Sequence, residues 1–302
     1  MKVAIFAGGK GSRLIEETHL RPKPLVEIGN RPLLWHIMRH FSTYDHNEFV
    51  IALGYMGDMI KKYIADLCQY SGNLRIDFAR REMLGQRNTD EHVANLLPWI
   101  VDLIDTGEEN MTGGRLSRLE RYLGGETFIL TYGDGVSDVN IDSLIEFHRS
   151  HGKLATITIV RPLTTFGHLT VLEDGLVAGF DEKPEQGPQW INGGFFVLEP
   201  GIFDAVASVN GDNVMWEQGP LQKLMDLGEL MAFRHSGFWY CVDHLADKRL
   251  LEKMWKNGNR PWASWEADTR PVNGPPGLRR DGDSVGIGRG GNPGDWVRYQ
   301  SL

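Results

Sequence analysis

Five apolar residues in a row, Val3 to Ala7, run straight into Gly8-Gly9. An unbroken apolar run of that length, stopped by glycine, predicts a buried parallel strand. Further on, Leu33, Leu34, Ile37, Met38 and Phe41 recur at helical spacing, with Pro32 where a first helical turn tolerates it. A second strand is expected at Phe49–Leu53, ended by Gly54. A third, Thr127–Thr131, leads into Tyr132-Gly133-Asp134-Gly135. Ile141, Leu144, Ile145 and His148 mark one face of a helix closed by Gly152, and Ala155–Val160 is again strand-like. Strands alternating with amphipathic helices imply right-handed βαβ units and a mostly parallel sheet. Ligands of such sheets sit outside the carboxyl ends of the strands. The glycine turns at 8–9 and 133–135 both fall there.

The pattern stops near Asp268. Residues 269–302 are rich in Gly, Pro and Arg and carry no helical or strand period, so 268–302 reads as a disordered tail behind a folded unit at 1–267. The chain has 302 residues, 41% hydrophobic and 24% charged, which is ample for a sizeable core. Its net charge of −8 argues against nucleic acid or an anionic membrane as the main partner. Cys68 and Cys241 are the two cysteines, too few for a disulfide framework or a thiolate metal cluster. The apolar run at the start is too short for a signal-peptide core and no later run has transmembrane length, so a cytoplasmic enzyme is expected.

Candidate chemistry concentrates in Ala7-Gly8-Gly9-Lys10-Gly11-Ser12-Arg13, followed after eight residues by Pro22-Lys23-Pro24. Glycines let backbone N–H groups approach phosphate oxygens without a Cβ in the way, and Arg13 and Lys23 add fixed cations. The loop is not a Walker A motif, because Lys10 is followed by Gly11. Nor is it a dinucleotide fingerprint, whose third glycine would stand at Leu14. Without the lysine between two prolines, the glycines read equally as a tight strand-to-helix turn. Alone, Asp134 also reads as a turn aspartate, Asp243 as a helix N-cap, Lys183 as a solvated loop lysine, and Arg115 as a helix-start arginine ahead of Leu116, Leu119 and Leu123. His36, His40, His148 and His151 show no partner carboxylate in sequence and read as structural. The scattered tryptophans read as core or subunit contacts.

Together these segments resemble the sugar-1-phosphate nucleotidyltransferases. The motifs Asp105-Thr106-Gly107, Met111 to Leu116, Tyr132 to Gly135, Glu182-Lys183-Pro184, Asn192 to Val197 and Gly237-Phe238-Trp239 resemble the branch that joins CTP to glucose 1-phosphate. The resemblance runs from Met1 to about Trp265. It implies a Rossmann-like nucleotidyltransferase fold, with a mostly parallel central sheet flanked by helices and a small β-rich portion for sugar binding and oligomerisation. It also implies Mg²⁺-dependent direct displacement at the α-phosphorus. By the same resemblance Ala7, Gly8, Gly9, Gly11, Ser12, Arg13, Lys23, Asn110, Arg115 and Gly133 bind nucleotide. Asp134 and Asp243 hold the metal, Lys183 binds the sugar phosphate, and Glu182 and Asn192 contact sugar hydroxyls. Arg13, Lys23 and Lys183 are the catalytic cations. The family forms homo-oligomers. Two other readings are kept: the same chemistry with another nucleotide or hexose phosphate, and a binding or regulatory protein on the same fold. The segment Gly85 to Leu97 is longer and more polar than that branch leads one to expect.

Overall fold

The computed structural model describes residues 1–69, 73–77, 82–86, 97–123, 125–162, 168–171, 176–181, 189–209 and 213–266. Seven strands make the central sheet: β1 (Lys2–Phe6), β2 (Glu48–Leu53), β3 (Ile100–Asp105), β4 (Phe128–Tyr132), β5 (Ala155–Val160), β6 (Ile191–Leu198) and β7 (Leu230–His235). Their spatial order is β7-β5-β6-β4-β1-β2-β3. The strands run parallel apart from β6, which is antiparallel to both β4 and β5. From β1 the chain first builds outward through β2 and β3, then returns to place β4 on the other side of β1. The order therefore reverses between β1 and β4, and their carboxyl ends flank the crevice where ligands bind in open α/β sheets.

The helices that cover the sheet are α1 (Leu33–Ser42), α2 (Gly57–Gln69), α3 (Thr112–Leu123), α4 (Ile141–His151), α5 (Ile202–Ser208) and α6 (Pro220–Asp226), while α7 (Leu245–Lys256) packs in a separate cluster. Alternation along β1 sorts them onto two faces. Val3 and Ile5 join Leu34, Ile37, Met38 and Phe41 of α1 and Ile141, Leu144 and Ile145 of α4 in one core. Ala4 and Phe6 join Leu116, Leu119 and Leu123 of α3, with Ile202 and Phe203 of α5 and Trp216, in the other. At roughly 1.5–3 kcal/mol per large side chain taken from water, these layers fix the strand ends rigidly. A third cluster holds Leu14, Val26, Ile28, Leu33, Val136, Val242, Leu251 and Trp262, and so underlies the loop after β1.

The expected elements form, with small shifts at their ends. Pro32 is the N-cap of α1 rather than its first residue, and Gly152 closes α4 in the left-handed conformation, at φ 63°. Among the described residues four antiparallel pairs lie apart from the main sheet: Glu27–Ile28 with Arg31–Pro32, Asn73–Asp77 with Glu82–Gln86, Gly135–Ser137 with Trp239–Cys241, and His168–Val171 with Val177–Asp181. The rest of the polar segment after Gln86, up to residue 96, and the 268–302 tail lie outside the described residues. Burial drives His36 and His40 down to about 4, so both are neutral packing groups. His148 corrects the expectation of no carboxylate partner: its Nε2 lies 3.1 Å from Glu199 Oε1. Glu199 follows β6, 51 positions away in the chain, and only the sheet brings the two together.

Candidate active site

Two glycine turns meet where β1 and β4 part. Gly133 donates its N–H to Phe6 O at 2.9 Å. A Cβ at position 133 would stand 2.8 Å from that oxygen and 3.0 Å from the Pro24 ring, so only glycine lets the strands and the Pro-Lys-Pro segment close up here. Pro22 enters with φ −65° and ψ 148° and starts the 3-10 turn Lys23–Leu25. That turn aims the buried Lys23 side chain under the crevice.

The lysine ammonium bridges two carboxylates, 2.8 Å from Asp134 Oδ2 and 2.7 Å from Asp243 Oδ1. Arg13 Nη1 reaches the other oxygen of Asp243 at 2.6 Å. A two-stranded ribbon brings the carboxylates together: Trp239–Cys241 pairs with Gly135–Ser137, Cys241 opposite Gly135, and Val242 N–H donates to Asp134 O at 2.9 Å. Asp243 is not a helix cap. Asp247 accepts the N–H groups of Asp243 and His244 at the start of α7, which leaves the Asp243 carboxylate to the cations. Burial works against the charge of Lys23, but Asp134 and Asp243 outweigh it and raise its pKa. Burial likewise opposes the charge of Asp243, and Lys23 and Arg13 reverse that and hold its pKa down.

Donor atoms of Asp134, Cys241 and Asp243 lie within 4.8 Å of one another. Burial, then the neighbouring Asp134, pushes the Cys241 thiol well up. Of the three groups, the two carboxylates are the hard oxygen donors. An all-oxygen pair of that kind suits a hard divalent cation that completes its shell with water and phosphate.

The glycine loop has an open front and a filled back. Gly11 takes φ +62°, which turns the chain into Ser12-Arg13-Leu14, and Thr18 Oγ1 caps Gly11 O at 3.1 Å. Ser12 and Arg13 are exposed on this side, and Gly9 has open space where a Cβ would point. Behind the loop lies Arg115, 4% exposed. Its guanidinium donates to Gly8 O at 2.9 Å, Leu53 O at 3.0 Å, Thr106 Oγ1 at 2.8 Å, Gly107 O at 2.7 Å and Glu108 O at 3.1 Å. A Cβ on Gly8 or Gly54 would fall 2.4 Å from it. Arg115 thus holds the glycine loop from beneath, with its guanidinium turned to the protein. Asn110 caps Thr106 O in the adjoining Gly107 turn.

Asn192 is the second residue of β6, at the same edge. Its Oδ1 accepts Gly194 N–H at 2.8 Å, and its Nδ2 donates to Tyr132 Oη at 3.3 Å. Glu182 and Lys183 lie outside the described residues. Thr106, Tyr132, Glu217 and Trp239 buttress the site. Thr106, Tyr132 and Trp239 stand inside the motifs named from sequence but were given no role there, and Glu217 lies in none of them.

The nucleotidyl transferase family profile matches residues 2–240, and the chain belongs to that family. It is an enzyme of the nucleotidyltransferase class. Within the family it is 45% identical over 267 residues to a glucose-1-phosphate cytidylyltransferase of Salmonella typhi, covering 88% of this chain and all of that protein. It is 41% identical over the same span to a probable glucose-1-phosphate cytidylyltransferase of Bacillus subtilis. Among solved structures, HddC from Yersinia pseudotuberculosis superposes with a TM-score of 0.59 at 24% identity, over 84% of this chain and 99% of that one. A UDP-glucose pyrophosphorylase bound to UDP-glucose gives 0.60 at 15% identity, over 85% and 98%. These two likenesses are of fold.

Proposed function

We propose that the chain transfers the cytidylyl group of CTP to α-D-glucose 1-phosphate, giving CDP-glucose and pyrophosphate. The observation that carries the chemistry is the Lys23–Asp134–Asp243 cluster at the crevice between β1 and β4. The identity to two cytidylyltransferases over their full length supports the choice of substrates. A phosphate oxygen of the sugar phosphate attacks the α-phosphorus, and the bond from that phosphorus to the bridging oxygen of the β-phosphate breaks. Both reactants are anions, so the protein's task is alignment and neutralisation.

On this reading the exposed loop of Gly8, Gly9, Gly11 and Ser12 follows the triphosphate with backbone donors, while Arg13 and Lys23 supply positive charge on its oxygens. Ala7 and Gly133 set the close approach of the two turns, and Asn110 and Arg115 hold the loop that faces the base. Asp134 and Asp243 would hold Mg²⁺, which when bound draws negative charge from the phosphates. Asn192 and Glu182 would take sugar hydroxyls and Lys183 the sugar phosphate. The enzyme works in the cytoplasm as a homo-oligomer, with neither nucleic acid nor membrane as partner. Its net charge of −8 fits that picture.

The test is pyrophosphate release with Mg²⁺ and glucose 1-phosphate, comparing CTP with UTP, dTTP, ATP and GTP. Release with CTP well above the others is expected. Preference for another nucleotide would keep the chemistry and overturn the choice of base.

A further inference from the structure

A polar chain that the reaction as described does not use runs behind Asn192. Tyr132, the last residue of β4, donates its hydroxyl to Glu217 Oε1. The second carboxylate oxygen, Oε2, accepts from Thr112 Oγ1 at 3.0 Å, and Thr112 Oγ1 accepts Trp216 N–H at 2.8 Å. A phenol has one proton to give. With that proton on Glu217, the Tyr132 oxygen can face Asn192 only as an acceptor. The amide therefore has to present Nδ2 to Tyr132, while Oδ1 takes the Gly194 N–H.

The backbone enforces the same orientation. The β5–β6 register shifts between Ile157 and Ile159, and Gly194 has φ +78°. A Cβ there would stand 2.6 Å from the Tyr132 ring. Trp239 Nε1 holds Gly193 O from the other side at 2.7 Å. Burial, then Glu217, pushes the Tyr132 hydroxyl pKa far up, which keeps the proton in place at any working pH. One amide hydrogen and one Oδ1 lone pair of Asn192 remain uncommitted among the described residues.

We infer that Glu217, through Tyr132, is a positioning residue that fixes the amide of Asn192 in one orientation for the hexose of the sugar phosphate. The inference rests on the assignment of Asn192 to the sugar in the proposed function. Glu217 lies just ahead of α6 and is 25 positions from Asn192 in sequence, and it reaches the substrate through Tyr132 alone. Its other branch, to Thr112, ties it to the first residue of α3, the helix that carries Arg115.

The test is steady-state kinetics on the full chain for Tyr132→Phe, Glu217→Ala, Glu217→Gln, Asn192→Ala and the Tyr132→Phe/Asn192→Ala double variant, with thermal melts as a check on folding. Tyr132→Phe and Glu217→Ala should raise KM for glucose 1-phosphate about tenfold, the scale of one lost hydrogen bond to a charged or buried group, and leave KM for CTP nearly unchanged. Glu217→Gln keeps an oxygen for the Tyr132 hydroxyl and should recover most of that loss. The double variant should be no worse than Asn192→Ala alone, because Tyr132 acts only through that amide. Equal rises in both KM values, or additive effects in the double variant, would overturn the inference. Wild-type protein that releases no pyrophosphate with glucose 1-phosphate would overturn the proposed substrate and the inference with it. Turnover by the wild type combined with additive effects would overturn the inference alone.

Discussion

Two arginines stand on opposite sides of one glycine loop. Arg13, in front, is exposed and meets a single carboxylate, Asp243. Arg115, behind, is buried against four backbone carbonyls and one threonine hydroxyl. The front belongs to a group of charges, with Lys23, Asp134 and Asp243, that is open to an incoming ligand. At the back, both terminal nitrogens of the guanidinium are taken up by the backbone that shapes the front and by the Thr106 hydroxyl. In this loop, the charge an arginine carries says little about its task; the partners it already holds decide whether it can meet a ligand.

The largest effect expected from breaking this contrast is on folding. Arg115→Ala should strand several buried carbonyls and lower stability by about 3 kcal/mol or more, seen as a clear drop in Tm. A melt within a degree of the wild type would mean that the back of the loop does not depend on it. Next comes Asp134→Ala, which should lower kcat at least ~100-fold because it removes charge from the reacting centre. Its fold should survive, and near-normal rates with Mg²⁺ would remove Asp134 from the metal site. Arg13→Ala should be milder, lowering kcat/KM about tenfold with Tm unchanged, since an exposed ion pair contributes under ~1 kcal/mol. A Tm loss as large as that of Arg115→Ala would erase the distinction. The smallest effect is expected from ending the chain after Glu266, which retains Trp262 and its cluster; turnover should be intact, and a large loss would give the tail a role.

What the sequence made legible was local. The apolar runs of β1, β2 and β4 with the glycines that stop them, and the run of β5, lie within short windows, as does the face of α4 with its Gly152 cap. Both ends of the site were visible for that reason, at Gly8–Lys23 and at Gly133-Asp134. No local pattern made Asp243 legible as a partner of Asp134, and only the family resemblance paired them, because a ribbon closing over 100 residues of chain puts them together. A helix-start aspartate looks the same until Asp247 is seen to take the cap. Arg115 showed only its helical spacing, and its burial depends on Gly8 and Gly54 having no side chains. The reversal of β6 and the Glu217–Tyr132 contact depend on sheet order, which no local pattern encodes.

The lone reversed strand has a consequence of its own. β5 ends at Val160 on the rim of the sheet that carries the site, and β6, running the other way, begins at Ile191 on that same rim. Residues 161–190 therefore leave from and return to one lip of the molecule, and Glu182 and Lys183 fall within them. A segment tethered at both ends to one rim can be lengthened, shortened or exchanged while the layers below keep their register. The fold thus separates the layers that hold the two glycine turns in register from a stretch whose length and sequence can change without disturbing them.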